Sequence, residues 1–181
     1  MIIALTGLPG SGKTTVASML AERLGVPWYS MGDLRGKMAA DRGMSIDELN
    51  ALGETEAFTD NEVDEYQKKL GESGESFVID GRLSWHFIPS AFKVFLYVDP
   101  KVGAERVFQA QQAKARPDER KYASAEEAQT ALSERVASDQ RRYQKYYGLD
   151  IMDRANYDLW IDTSPIPPQP IVEMILKAVQ A

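Results

Sequence analysis

Cysteine is absent from the 181 residues, which rules out disulfides, zinc–thiolate sites, iron–sulfur clusters and thiol catalysis. Histidine occurs once, as His86, so multi-histidine metal sites and most histidine mechanisms fall away too. Basic residues are the minority: 21 Lys and Arg against 27 Asp and Glu leave a net charge of −6. That is not the basic field of a general nucleic-acid binder. It leaves room for small phosphorylated ligands, which need only a local cluster of Arg and Lys. No stretch reaches the ~18 apolar residues of a membrane span. Met1–Leu5 is apolar, but no charged segment precedes it and glycines follow, so it reads as a strand and not as a signal peptide. A cytoplasmic protein that contacts neither membrane nor nucleic acid is expected from these absences.

What is present is an ordinary globular composition, 44% hydrophobic and 27% charged. The length suits one domain, of a size that buries about 70% of its unfolded surface. Short apolar runs at Ile2–Thr6, Val26–Ser30, Ser76–Asp80, Ala91–Val98 and Tyr157–Ile161 predict five strands. Helical periodicity fills the gaps. It covers Thr14–Leu24, stopped by Gly25, and Met31–Leu70, broken near Gly43, Gly53 and Thr59-Asp60. It returns at Pro100–Ala113, at Ser124–Tyr147 and, after a loop at Pro165–Pro170, at Ile171–Val179. Ser45 with Glu48 and Ser124 with Glu127 have the spacing of capping boxes. Strands alternating with helices predict a parallel sheet covered on both faces. Ligands in such sheets bind at the carboxyl ends of the strands. That gathers Gly7, Ser30, Asp80, Asp99 and Thr163-Ser164 on one rim.

Gly7-Leu8-Pro9-Gly10-Ser11-Gly12-Lys13-Thr14 fits G-x-x-x-x-G-K-[ST]. It lies between a predicted strand and a predicted helix, the context its mechanism needs. The glycines let backbone N–H groups curl around a β-phosphate, and the helix N-terminus adds partial positive charge. Lys13 is expected on the β- and γ-phosphates of ATP, the Thr14 hydroxyl on Mg²⁺, and Thr15 near the α-phosphate. The Asn-Lys-x-Asp motif of a GTPase is missing. A short chain with an Arg-rich second half suits a small phosphotransferase better than a mechanical ATPase.

Asp80-Gly81-Arg82 closes the third strand. Asp80 is placed to hold the Mg²⁺ hydration shell, Gly81 to allow close approach, and Arg82 to offer its guanidinium to a second substrate. Arg135, Asp139 and Arg142 stand at i, i+4 and i+7, on one face of the long helix. Such a face can clamp phosphates with its guanidiniums and bind ribose hydroxyls with its carboxylate. The same spacing also serves a solvated face with ordinary ion pairs. Lys13, Arg35, Arg82, Arg135 and Arg142 supply cations for transfer between two nucleotides, where positioning and electrostatics carry most of the rate. Arg116, Arg120 and Lys121 form a loop that would close over the triphosphate, or that is simply solvated. His86, between Trp85 and Phe87, reads as a partly buried wall residue, with the lining of a base pocket beside Trp85 as the alternative. Tyr143, Tyr146 and Tyr147 read as packing.

Taken together, these motifs resemble the cytidylate kinases, most closely the short archaeal-type group of nucleoside monophosphate kinases. The resemblance rests on residues 7–15, Gly32-Asp33, Arg42-Gly43-Met44-Ser45, Asp80-Gly81-Arg82 and Arg135…Asp139…Arg142-Tyr143. It continues through Tyr147-Gly148-Leu149-Asp150 and Asp162-Thr163-Ser164, and so covers nearly the whole chain. It implies an α/β P-loop NTPase fold with a five-stranded parallel sheet. The core would be 1–30, 76–113 and 157–181, with a helical NMP-binding region at 31–72 and a lid with its following helix at 114–148. It implies ATP- and Mg²⁺-dependent transfer of the γ-phosphoryl to CMP or dCMP, by a protein expected to be a monomer. It places Ser30, Asp33, Arg82, Arg135, Asp139 and Arg142 around CMP, with Arg135 near the transferred phosphoryl. It brings the backbone of Thr163–Pro165 to the ATP adenine.

The chain departs from the family at one position. The usual Arg three residues after the Asp of Gly-Asp is Gly36 here, with Arg35 before it and Lys37 after. A one-residue shift on a helix turns a side chain by about 100°. The alternative acceptors are another nucleotide, a nucleoside, or a metabolite hydroxyl with Asp33 as base. The alternative class is a nucleotide-binding regulatory module without turnover.

Overall fold

A computed structural model of the chain describes residues 1–53, 55–56, 58–113 and 121–180. Strands β1 (Ile2–Gly7), β2 (Trp28–Ser30), β3 (Phe77–Asp80), β4 (Phe92–Tyr97) and β5 (Leu159–Asp162) form a five-stranded sheet in the order β2-β3-β1-β4-β5. Every pairing is parallel. The helices are α1 (Lys13–Leu24), α2 (Met31–Asp41), α3 (Ile46–Gly53), α4 (Phe58–Glu72), α5 (Ser84–Phe87), α6 (Pro100–Ala113), α7 (Ala125–Tyr147) and α8 (Pro168–Val179).

Side chains of β1 alternate between the two faces of the sheet, as the pleat requires. Ile3 and Leu5 join Val78, Val94, Leu96 and Ile161 in a core that α1 and α8 cover with Val16, Leu20, Ile171 and Ile175. Ala4 and Ile79 look the other way and meet Met31, Met38, Leu49 and Val63 of α2, α3 and α4. With both faces buried, the strands read as continuous apolar runs. The chain builds β2 and β3 on one side of β1, then crosses to β4 and β5 on the other. The carboxyl end of β1 is therefore the topological switch point of the sheet, where such folds bind ligands.

Several elements differ from the sequence reading: β2 starts at Trp28 rather than Val26 and β5 at Leu159 rather than Tyr157. The break expected at Thr59-Asp60 lies inside α4, which starts at Phe58. First-turn N–H groups have no intrahelical partner, so residues that interrupt a helical pattern are tolerated there. Helix α8 begins at Pro168, inside the expected loop. Proline fits the first turn because its missing N–H would go unused there. Helix α5, a single turn after Arg82, has no counterpart in the sequence reading. The Ser45–Glu48 capping box is reciprocal: Glu48 N–H donates to Ser45 Oγ at 3.2 Å and Ser45 N–H to Glu48 Oε2 at 2.7 Å. At α7, Glu127 N–H donates to Ser124 Oγ at 3.2 Å, but Glu127 Oε2 accepts from Ala123 N–H, one residue further out. No helix among the described residues is long and apolar enough to cross a membrane.

Candidate active site

The site starts with a helix end left open. The N-cap of α1 is Gly12, which supplies no capping side chain, and the first turn carries no acid. Its first N–H groups are therefore unspent and face the loop Leu8–Gly12, an arrangement suited to an anion. The loop is held tightly from behind. Leu8 N–H donates to Leu96 O at 3.2 Å. Gly10 has φ +76°, and a Cβ there would fall 2.2 Å from the Gly103 carbonyl oxygen, so only glycine fits. Ser11 Oγ is buried and has no hydrogen bond among the described residues. Lys13 Nζ donates to the loop's own Leu8 carbonyl at 3.2 Å. Burial, and then the Arg82 guanidinium, push the Lys13 ammonium down to about 7, against the pull of Asp80 and Asp139.

Asp80, at the end of β3 and 5% exposed, lies opposite the start of α1. Thr14 Oγ1 is 3.4 Å from its Oδ2, and the Trp28 indole N–H donates to its Oδ1 at 3.1 Å. Burial raises the Asp80 pKa, while the Trp28 N–H, the Lys13 ammonium and the Ser30 hydroxyl pull it back. A hydroxyl and a carboxylate side by side next to an anion cradle form a hard-oxygen donor set. Such a set suits Mg²⁺, which takes few protein ligands and completes its shell with phosphates and water. Ser30 also caps α2, accepting from Asp33 N–H at 3.2 Å. Ser30 and Asp33 both line the site cavity.

The guanidiniums converge from three elements. Arg82 Nε donates to Asp139 Oδ2 at 3.0 Å, and Arg142 Nη2 to Asp139 Oδ1 at 3.1 Å. Arg82 also donates to the Gly7 carbonyl, which ties the cluster to the phosphate loop. Burial alone would raise the Asp139 pKa, but Arg82, Arg142 and Arg135 hold it below the usual carboxylate range. Both Asp139 oxygens thus accept from guanidiniums, so the carboxylate orients two cations. Arg135 lines the cavity, and its Nε is buried with no hydrogen bond among the described residues. Arg35 lines the cavity as well, and its Nε donates to Asn50 Oδ1 at 2.7 Å. Lys37 is exposed and does not line it. Of the two basic neighbours of Gly36, Arg35 is the one at the site.

These groups surround a cavity of about 760 Å³ that runs from Lys13 and Thr14 past Arg82 and Arg135 to Asp33 and Asn50. A second cavity, of about 330 Å³, opens behind the loop, lined by Gly10, Thr15, Arg106, Ile166 and Pro167. Arg106 was not singled out by the sequence reading. Its Nη2 donates to the carbonyls of Thr163 and Ser164 at 2.8 and 3.1 Å, and its Nη1 lies 3.4 Å from the Gly10 carbonyl. It thereby joins the loop after β5 to the phosphate loop. Thr163 and Ser164 spend their hydroxyls on Tyr97 O and Asp162 Oδ1 and their N–H groups on the same two partners, and neither residue lines either cavity. Trp28 and Asn50 were missed too. His86 is exposed, packs edge-on against Phe87 with centroids 5.0 Å apart, and lines neither cavity, which corrects the expectation of a wall residue. Tyr143 packs with Leu83, Trp85 and Ile151, as expected, and also lines the large cavity. Lys121 is exposed and outside both cavities, and Arg116 and Arg120 lie outside the described residues. Gln111 clamps Tyr122 at the far end of that segment, donating to its carbonyl at 2.7 Å and accepting from its N–H at 2.9 Å.

Comparison with known proteins agrees with this geometry. The chain is 36% identical over 181 residues to a cytidylate kinase of Archaeoglobus fulgidus, covering 99% of this chain and 95% of the relative. It is 37% identical over 181 residues to a cytidylate kinase of Methanothrix thermoacetophila, covering 100% and 99%. A crystal structure of a protein from Eubacterium ventriosum shares the fold, with a TM-score of 0.73 at 22% identity, covering 100% of this chain and 99% of that one. The model of the cytidylate kinase-like family matches residues 2–165. The chain is an ATP-dependent small-molecule kinase of the nucleoside monophosphate kinase superfamily, and within it belongs to the cytidylate kinase-like family.

Proposed function

We propose that the chain transfers the γ-phosphoryl of ATP to the phosphate of CMP or dCMP, giving ADP and CDP or dCDP. One observation carries this reading. A single cavity joins an open phosphate cradle, Lys13 and the Thr14/Asp80 pair to a second group of cations, Arg35, Arg82, Arg135 and Arg142. One phosphorylated substrate needs only the first set. Two need both.

The transfer requires no base, because the acceptor oxygen is already anionic. That oxygen attacks the γ-phosphorus in line, and the bond from γ-phosphorus to the β–γ bridging oxygen breaks as its electron pair leaves with ADP. The open N–H groups of α1 and its preceding loop hold the β-phosphate, and Lys13 neutralises charge on the β- and γ-oxygens. Thr14 and Asp80 would hold Mg²⁺, which when bound offsets the charge of the β- and γ-phosphates. Arg135, with its buried unpaired Nε, faces the transferring group. Arg82 and Arg142, fixed by Asp139, and Arg35, fixed by Asn50, orient the acceptor phosphate. Arg35 thus takes over the task of the Arg that Gly36 replaces. The second cavity, bordered by Ile166 and Pro167 of the loop that follows Thr163–Pro165, receives the adenine. Residues 31–72 act as the acceptor-binding region and 114–148 as the lid and its helix.

An ADP-release assay with ATP and Mg²⁺ against CMP, dCMP, UMP, AMP, GMP and TMP tests the reading. Turnover on CMP or dCMP well above the rest is expected. Turnover on another nucleotide would move the specificity, and ATP binding without turnover on any would point to a binding module.

A further inference from the structure

Asp80 has a partner to which the transfer chemistry gives no task. The Trp28 indole N–H donates to Asp80 Oδ1 at 3.1 Å, while Asp80 Oδ2 lies 3.4 Å from Thr14 Oγ1. The sheet sets this up. In the parallel register of β2 and β3, Trp28 stands opposite Val78 and Ser30 opposite Asp80. Residues two apart on a strand share a face, so Trp28 and Asp80 both lie on the face that α1 covers. The Trp28 ring packs against the core there, in the cluster that holds Val78, Ala17 and Ala21. Its N–H reaches two positions along the neighbouring strand to the carboxylate. Asp80 and Thr14 line the large cavity and Trp28 does not. The indole therefore acts on a ligand in that cavity only through Asp80.

An indole nitrogen donates and does not accept. It gives Oδ1 a standing partner and turns the carboxyl group so that Oδ2 faces the Thr14 hydroxyl. The competing orientation is toward Lys13. Among the described residues no ion pair joins Lys13 to Asp80, and the ammonium donates to the Leu8 carbonyl instead. A direct Lys13–Asp80 pair would spend the cation meant for phosphates on the anion meant for a metal. The Trp28 bond opposes that loss.

We propose that Trp28 is a positioning residue for the Mg²⁺ site, its indole N–H holding Asp80 in the orientation in which Oδ2 and the Thr14 hydroxyl serve one ion. Hydrogen-bond partners of metal-binding side chains are worth about ten- to a hundredfold in metal affinity. The inference rests on the ATP-binding part of the kinase reading above and not on the identity of the acceptor.

The test is the Kd of ATP by titration calorimetry, with no acceptor present, in EDTA and in saturating Mg²⁺. It compares the wild type with Trp28→Phe and Asp80→Asn. Trp28→Phe keeps an aromatic ring against the core and removes the N–H. The ratio of the two Kd values measures what the metal adds. Mg²⁺ should tighten ATP binding to the wild type, and Asp80→Asn should remove most of that gain. Trp28→Phe should bring the ratio down about tenfold or more, toward that of Asp80→Asn, while the Kd in EDTA stays put. General damage to the phosphate loop weakens ATP alike with and without the metal and leaves the ratio unchanged. An unchanged ratio in folded Trp28→Phe would therefore overturn the inference and leave Trp28 as core packing. Should Trp28→Phe fail to fold, Trp28→Met, whose flexible side chain fills apolar gaps, decides in its place. A ratio that Asp80→Asn does not change overturns the inference at its anchor and leaves the kinase standing. A wild type that binds ATP in neither condition overturns both.

Discussion

Arg82 and Asp139 are joined by an ion pair of 3.0 Å between residues 57 apart in the chain, and Arg142 grips the other carboxylate oxygen at 3.1 Å. The Arg142 side chain is 2% exposed and that of Asp139 6%. Removing the anion takes a shared counter-charge from two guanidiniums that are largely buried. Asp139→Ala should therefore destabilise the protein by about 3–5 kcal/mol, read from urea unfolding. It should also raise the KM for CMP more than that for ATP, because we assign the two guanidiniums it orients to the acceptor phosphate. Equal changes in both constants would show that Asp139 supports the fold alone.

The same pair predicts an acid limb. The folded-state pKa of Asp139 is held below its unfolded value, so the pair's contribution is present above the ordinary Asp pKa of about 3.9 and fades as pH falls through the lower folded one. The wild type should lose stability below about pH 4. An Asp139→Asn variant should start less stable and show a flatter dependence in that window.

Lys13 gives a second pH signature, with the opposite sign. In the free protein burial and Arg82 bring its pKa to about 7, whereas bound phosphates would favour the charged form. ATP should then bind best below pH 7, and its affinity should fall as pH rises above it. At pH 8 binding should take up about one proton per ATP, measurable by calorimetry in two buffers of different ionisation enthalpy. Lys13→Ala should abolish both the uptake and turnover while the protein still unfolds cooperatively. Uptake that survives the substitution would assign the proton to another group.

What was legible in the sequence is what is local in the chain. The loop 7–14 is contiguous, and its strand and helix flank it directly. Asp80 and Arg82 follow a strand end, and parallel sheets put strand ends on one rim. Helical spacing was enough to place Arg135, Asp139 and Arg142 on one face. It gave no sign that both Asp139 oxygens would go to guanidiniums, because Arg82 arrives from another element. Trp28, Arg106 and Asn50 were illegible for the same reason. The indole N–H of Trp28 finds Asp80, 52 residues on, and Arg106 finds Thr163, 57 residues on. An Arg inside an amphipathic helix carries no mark of where its guanidinium ends. His86 misled by adjacency: it follows Asp80-Gly81-Arg82, but the turn of α5 carries it out to the surface.

Arg35 tests whether a neighbour can replace a missing side chain. Asn50 Oδ1 fixes its Nε at 2.7 Å, and both residues line the cavity. Arg35→Ala should raise the KM for CMP about tenfold or more, with little change for ATP. Arg35→Lys should recover little, since a point charge cannot reproduce a fork held by Asn50. Lys37→Ala should leave both constants near wild type. A large effect at Lys37 with none at Arg35 would reverse the assignment.

Gly81 closes the space between the strand end and the turn that follows it. A Cβ there would fall 2.3 Å from Ser84 Oγ and 2.9 Å from Met31 Cγ. Ser84 cannot step aside freely, because its hydroxyl donates to Gln67. Gly81→Ala should therefore cost about 1–3 kcal/mol of stability. Removing the clashing hydroxyl relieves the crowding but strands the Gln67 acceptor. The double variant Gly81→Ala/Ser84→Ala should thus be more stable than the sum of its parts, with a coupling of about 0.5–3 kcal/mol. Simple additivity would mean that the backbone at Gly81 shifts enough to clear Ser84 unaided, and the link from Asp80-Gly81-Arg82 to α4 would then be looser than its contacts suggest.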